Sequence, residues 1–313
     1  MIRRFLGILA ACMVLCSCAA PSPGPKAGAQ PALPAGTAPP EPSGAWPLQE
    51  LACLYYDAEL VRGGIASPAA YEADGQLAAG MVPHHLLAAD MIAGFFSLAG
   101  EQKDAYDSVL IISPSHFPEN CKSDAVTANA GWDTPYGDLP VDSGIVRAFL
   151  QNGRIAAENN PDAVEADHGA AGLIPFVKYY LPDTKAAVLL LSNRLSRERL
   201  SAVWETVQKV CAENRVLLVA SADCSHYLMP ADAAKRDGET AEAIESFDYG
   251  RILGFSDANV DSPQTVTTFL KVAEPMTLTR LGHSSSPEKL PFALTNPAYD
   301  EGITTYYVYA ATR

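Results

Sequence analysis

VLLVASADCSHY, residues 216–227, decides the fold: an apolar run that breaks off into Asp223, Cys224, Ser225 and His226. A short continuous apolar run reads as a strand buried on both faces, and polar side chains just past its carboxyl end stand where open α/β sheets place their chemistry. Two further stretches share this arrangement. DSVLIISPSH, residues 107–116, runs a buried strand into His116, and LAAGMVPHH, residues 77–85, runs a weaker apolar stretch into His84 and His85. The three junctions are expected to converge on one site.

Working outward, residues 185–191 read as another apolar strand, and residues 194–211 carry Leu200, Val203, Trp204, Val207 and Val210 at amphipathic helical spacing. This strand–helix–strand order predicts a sheet covered on both faces. A helix is predicted over 86–98 with Met91, Phe95 and Phe96 in the core, and a short amphipathic helix over 46–61 with Leu51, Leu54, Tyr55 and Leu60. The stretch 117–142 exceeds the usual connection length, so it is either a small antiparallel insert or a site-forming loop. Further helices are predicted over 143–150, capped by Asp142 or Ser143, just after His168, over 231–253 with a break near 246–248, and from Ser262-Pro263. Strands are predicted over 276–281 and 304–309, and the SSSP beside His283 reads as a turn.

The 313 residues, 48% of them hydrophobic, suffice for a sizeable core in residues 46–313. A formal charge of -14 and a pI of about 4.8 argue against nucleic-acid binding. Residues 1–17 have the layout of a secretory signal: Arg3 and Arg4, an apolar run, then small residues. The ending Leu-Cys-Ser-Cys suits a bacterial lipoprotein signal with Cys18 as the lipidated residue, so the protein is expected on the cell envelope, facing the periplasm or exterior. Residues 18–45, dense in Pro, Ala and Gly, read as a disordered tether that holds the domain off the membrane. If Cys18 carries lipid, Cys53, Cys121, Cys211 and Cys224 remain in the globular part, too sparse for a disulfide framework.

The chemistry rests on the six histidines, His84, His85, His116, His168, His226 and His283. Imidazoles joined by a carboxylate suit non-haem iron with open positions, and they also suit zinc; ligand type does not choose between them. Each candidate also has an ordinary structural use. His84 and His168 could cap helices, His116 could satisfy loop carbonyls, His226 could pack beside Tyr227, and Asp223 could cap a helix. Ser225 and His226 are adjacent and lack the glycines of a nucleophile elbow, which argues against a serine hydrolase.

Five segments, in order, resemble the MEMO family, which includes the bacterial AmmeMemoRadiSam system protein B, and more distantly the class III extradiol ring-cleavage dioxygenases. MVPHH at residues 81–85 resembles the family's Pro-His-Ala-Gly, and SPSHF at 113–117 its Gly-Pro-Asn/Ser-His. TPYGDLPVD at 134–142, ADHGAAGLIPF at 166–176 and SADCSHY at 221–227 are similar to its three remaining motifs. The sequence departs from the pattern at Asp167 and Ala171, where the family has Glu, and at His85 and Leu86, where it has Ala-Gly. Ser225 matches a metal-ligating cysteine of some MEMO proteins, and the neighbouring Cys224 stands at a usually apolar position.

The resemblance implies an α/β, three-layer dioxygenase-like domain with a mixed central sheet. It implies a divalent metal, foremost Fe(II), with Zn(II) or Cu as alternatives and none if the pocket is degenerate. Metal residues carried over are His84 and His116, with Asp223 or His226 completing the set, and His168 as an acid–base group. The expected function is a metal-binding protein oxidising a small molecule. The alternatives are a non-enzymatic, lipid-tethered module that binds an envelope protein or small ligand, and a zinc-dependent hydrolase.

Overall fold

The computed structural model describes residues 49–290 and 302–313. The expected signal and tether, residues 1–17 and 18–45, lie outside them.

The strands in chain order are β1 (Gln49–Ala52), β2 (Leu77–Val82), β3 (Ser108–Pro114), β4 (Ala125–Thr127), β5 (Ala130–Asp133), β6 (Ala157–Asn159) and β7 (Lys185–Leu191), then β8 (Val216–Ser221), β9 (Cys224–Leu228), β10 (Thr277–Ser285) and β11 (Ile303–Thr312). The main sheet runs β10-β11-β2-β8-β3-β7-β4-β6, with β9 pairing β11 beside it. Its centre, β2-β8-β3-β7, is parallel, with Ile111 of β3 opposite Val219 of β8 and Val188 of β7. Every residue of β2, β3 and β8 is buried. That is why these strands appear in the sequence as unbroken apolar runs: helices cover both faces, so neither face selects for polar residues.

Alternation along the strands splits the core in two. Val109, Ile111, Val188, Leu190, Leu217 and Val219 pack on one side with Phe95, Phe96 and Phe176. Those aromatic rings come from the helices Ala89–Gly100 and Ile174–Tyr180. Leu110, Ile112, Leu189, Leu191, Leu218 and Ala220 pack on the other side with Val203, Val207, Ile244 and Phe269. These belong to the helices Arg197–Glu213, Pro230–Glu245 and Pro263–Ala273. The result is the expected three-layer α/β domain around a mixed sheet, since β11 and β4 join the parallel centre antiparallel.

Three local expectations are corrected. Residues 46–61 do not form one helix: Leu51 lies in β1, which pairs with β5, and the helix is Ala58–Ala66, started by Asp57 accepting from the Glu59 and Leu60 amides. The stretch 117–142 is not a self-contained hairpin, because β4 joins the main sheet against β7 while β5 pairs with β1. The SSSP beside His283 is not a turn. His283 lies in β10 opposite Tyr307, Ser284 and Ser285 continue that strand, and Ser286 and Pro287 begin the helix Ser286–Lys289, opened by a capping box of Ser285 and Glu288.

Candidate metal centre

The carboxyl ends of three parallel strands deliver the site. β2 leads through Pro83 to His84, β3 through Ser115 to His116, and β8 through Ala222 to Asp223. A fourth segment reaches the same edge: Asp167 caps the helix His168–Ala171 by accepting from the Gly169 amide, which sets His168 as its first residue. One donor atom each from His84, His116 and His168 lies within 4.8 Å of the other two. The ring centroids of His116 and His168 are 3.9 Å apart, those of His84 and His116 4.8 Å, and those of His84 and His168 5.4 Å.

Hydrogen bonds fix which nitrogens face the centre. The Ser221 hydroxyl donates its one hydrogen to the Gly169 carbonyl, so its oxygen accepts from His84 Nδ1 at 3.0 Å. That places the His84 proton on Nδ1 and leaves Nε2 as a lone pair. His116 Nδ1 stands 2.8 Å from Asp167 Oδ1, and the His116 amide donates to Asp167 Oδ2 at 2.8 Å. Burial opposes a charge on Asp167, but hydrogen bonds from His116 and the charge interaction with it win, holding the carboxyl below the usual range. Asp167 is therefore an ionised acceptor for a proton on His116 Nδ1, which leaves Nε2 as the His116 nitrogen that faces Asp261. Such carboxylate and hydroxyl partners orient ligating histidines in metal sites.

The His84 and His168 imidazoles are held neutral. Burial, only partly offset by the Asp223 carboxylate, pulls His84 down to about 3, and His116 and His168 add to the pull. Burial, then the neighbouring His116, lowers His168 as well. Tyr55 and Phe117 flank the His168 ring at centroid distances of 5.7 and 6.1 Å.

Two carboxylates border the group. Asp223 Oδ1 accepts from the His84 amide at 3.0 Å, and its Oδ2 lies 3.5 Å from His84 Nε2. Burial works against its charge, but His84, His85 and His226 outweigh burial and hold the carboxyl low. Asp261 Oδ2 lies 3.4 Å from His84 Nε2 and 3.9 Å from His116 Nε2. Burial, then the charge of Asp223, pushes the Asp261 carboxyl well above the usual range.

The structure thus brings together His84, His116 and His168, with Asp223 against His84. His226 is not in the three-histidine group; its amide donates to the Asp257 carbonyl, and its Nδ1 is buried with no partner. Ser225 donates to Asp237 Oδ1 at 2.7 Å, and Asp237 also accepts from Thr305 and meets His283 Nε2. Cys224 is fully buried in the second core, where burial, followed by Asp237, pushes its thiol well above the usual range. His85 is exposed and its Nδ1 meets the Tyr306 hydroxyl at 2.7 Å. All four cysteines among the described residues are free. Sequence reasoning missed Asp261 and Ser221. Ser221 ends the organising strand and could have been picked out as a partner for a ligand, whereas Asp261 carries no motif beyond preceding the Ser262-Pro263 helix start.

The Memo-like protein family model matches residues 76–285. A MEMO1 family protein of Caldivirga maquilingensis is 28% identical over 142 residues, 44% of this chain and 49% of that protein. One from Desulfurococcus amylolyticus is 25% identical over 185 residues, 56% of this chain and 63% of that protein. The chain therefore spans about half to under two thirds of these relatives. The crystal structure of uncharacterized protein JW3007 from Escherichia coli K12 superposes with a TM-score of 0.50 at 13% identity, covering 74% of this chain and 98% of that one. It shares the α/β fold. With the family match spanning both strand–histidine junctions, the His168 segment and the end of β8, this chain belongs to the Memo-like protein family.

Proposed function

We propose that the protein holds Fe(II) at His84, His116 and His168 and is an oxidoreductase acting on a small organic molecule. The observation that carries the reading is the set of three converging imidazoles, two with the Nδ1 proton tied to an acceptor behind the ring. Neutral imidazoles beside carboxylates are a donor set that divalent iron accepts. Bound there, iron would supply redox chemistry and open coordination positions. The chain's own residues do the rest. Ser221 and Asp167 aim His84 and His116, Asp223 sets negative charge beside the histidines, and Tyr55 and Phe117 offer aromatic walls beside His168 for an apolar part of a substrate.

His168 stands with the donors, so we assign it to holding the ion. A His168→Gln variant that keeps full metal but loses turnover would return it to proton exchange. Zinc-assisted hydrolysis is the second reading, favoured by the three imidazoles themselves, which are also a zinc donor set.

We also infer that Cys18 carries a lipid and that the protein works on the bacterial envelope, on a small molecule or beside an envelope protein. The signal layout before Cys18 and the Pro-rich stretch after it support this. Cys18→Ser should abolish incorporation of a labelled fatty acid; unchanged labelling would end the idea.

The first experiment is metal content of the full chain, purified anaerobically without a metal-affinity tag, beside a His84→Ala/His116→Ala variant. Near-stoichiometric iron, lost in the variant, together with substrate-dependent oxygen consumption supports the reading. Stoichiometric zinc with hydrolysis favours the second, and equal metal in both proteins overturns both.

A further inference from the structure

We propose that Asp261 is itself a ligand of the centre, its carboxylate completing the donor set that His84, His116 and His168 begin. The inference rests on the metal reading above and adds a residue that no motif in the sequence marks.

Asp261 is fixed in place by the backbone. Val260 forms an antiparallel bridge with Cys224, the Asp261 amide donates to the Asp223 carbonyl at 3.2 Å, and the Asp223 amide donates back to Asp261 Oδ2 at 3.2 Å. Ser262, the next residue, caps the helix Pro263–Ala273 by accepting from the Thr265 amide. The chain can therefore neither swing the carboxylate out nor bring it in casually.

What the carboxylate meets is unusual. His84 and His116 both use Nδ1 for their hydrogen bonds, so their Nε2 atoms are the ones left to face the carboxylate. Asp261 Oδ2 stands 3.4 Å from the first and 3.9 Å from the second. Three such atoms facing one another across a buried space hold little negative charge unless something positive lies between them, in keeping with the Asp261 carboxyl being pushed well above the usual range. A shared proton serves this poorly, since a good hydrogen bond to nitrogen or oxygen needs about 2.7–3.2 Å. Two ligands each about 2.1 Å from one ion at a tetrahedral angle stand about 3.4 Å apart. The other oxygen, Asp261 Oδ1, is buried with no partner, so the carboxylate has spare capacity on that side too. Asp223 differs. Of the two His Nε2 atoms it approaches only that of His84.

The test is a competition titration of Co(II) and Zn(II) against a chelator of known affinity. The full chain is compared with Asp261→Asn, Asp261→Glu and the His84→Ala/His116→Ala control, each checked for folding by its metal-free melting curve. A ligating carboxylate predicts that Asp261→Asn loses affinity about 100-fold or more and changes the visible band of bound Co(II), which reports ligand number. Asp261→Glu should recover most of both. If Asp261→Asn does not fold, Asp261→Ser takes its place. An Asn or Ser variant that binds within about threefold of wild type with the same Co(II) spectrum overturns this proposal and leaves the three-histidine centre standing. Wild type that binds no better than the double-histidine control removes the centre and this proposal together.

Discussion

Asp167 carries more of the site than its place outside the donor group suggests, because one carboxylate orients His116 from behind and caps the helix that presents His168. Asp167→Asn should keep the fold and lower metal affinity about 10–100-fold, the usual cost of losing a partner behind a ligating histidine; a chelator titration checks it. Protonation acts on stability in a definite direction. His84 is depressed to about 3, so below about 6.5, where an unfolded histidine takes a proton, the unfolded chain binds a proton that the folded chain refuses. Stability is therefore full above about 6.5 and falls as pH drops towards about 3, by at most about 1.4 kcal/mol per pH unit for that one proton. Asp167 adds its own loss only lower, as pH falls from its unfolded value of about 3.9 through its depressed folded one. His84→Gln should flatten the upper part of this slope in denaturant midpoints measured across pH; an unchanged slope would assign the acid sensitivity elsewhere. At this scale the three converging histidines were legible as site residues because each follows an apolar run or opens a helix, although the sequence pointed to His168 as an acid–base group and to Asp223 or His226 as the further ligand. Asp261 was not, because its position depends on a backbone pairing with the end of β8 that has no local signature.

The elements read well where burial is complete and poorly where pairing is distant. β3, β7 and β8 are apolar runs because both faces are covered, and they were visible as such. β1, β4, β5 and β6 have only three or four residues each, and their partners lie far along the chain, so hydrophobic period gave nothing to find. The helix after Asp57 was misplaced by the same blindness, since Leu51 looked like part of its apolar face until β5 claimed it. The shortest helix at the site is also its tightest joint. A Cβ on Gly169 would come within 2.3 Å of Ser113 Oγ and 2.6 Å of His116 Cε1, so the first turn after His168 is pressed directly on the β3 junction. Gly169→Ala should therefore cost about 1–3 kcal/mol in denaturant unfolding, as overpacked sites do. It should weaken metal binding as well by displacing His116, whereas an effect on stability alone would show that the helix, and not the imidazole, gives way.

Across the whole molecule, two cores on opposite faces of one sheet hold the strand ends in register, and the site depends on that register rather than on any one loop. The -14 charge leaves the acidic protein poorly suited to anionic surfaces, so membrane attachment would have to come through the lipid proposed at Cys18. One atom links the sheet to the rest of the site. The Ser221 oxygen, at the last residue of β8, accepts from His84 and donates to the carbonyl of Gly169 in the helix that begins with His168. An ion held by both histidines would close a loop through that hydroxyl, so removing the ion slackens a clasp between strand and helix. A ligand that binds only the folded chain adds about 2.7 kcal/mol at a hundred times its dissociation constant. Heat thus becomes a gauge of occupancy: the melting temperature should climb with free metal and fall with chelator, and the protein's endurance would track the metal supply around it.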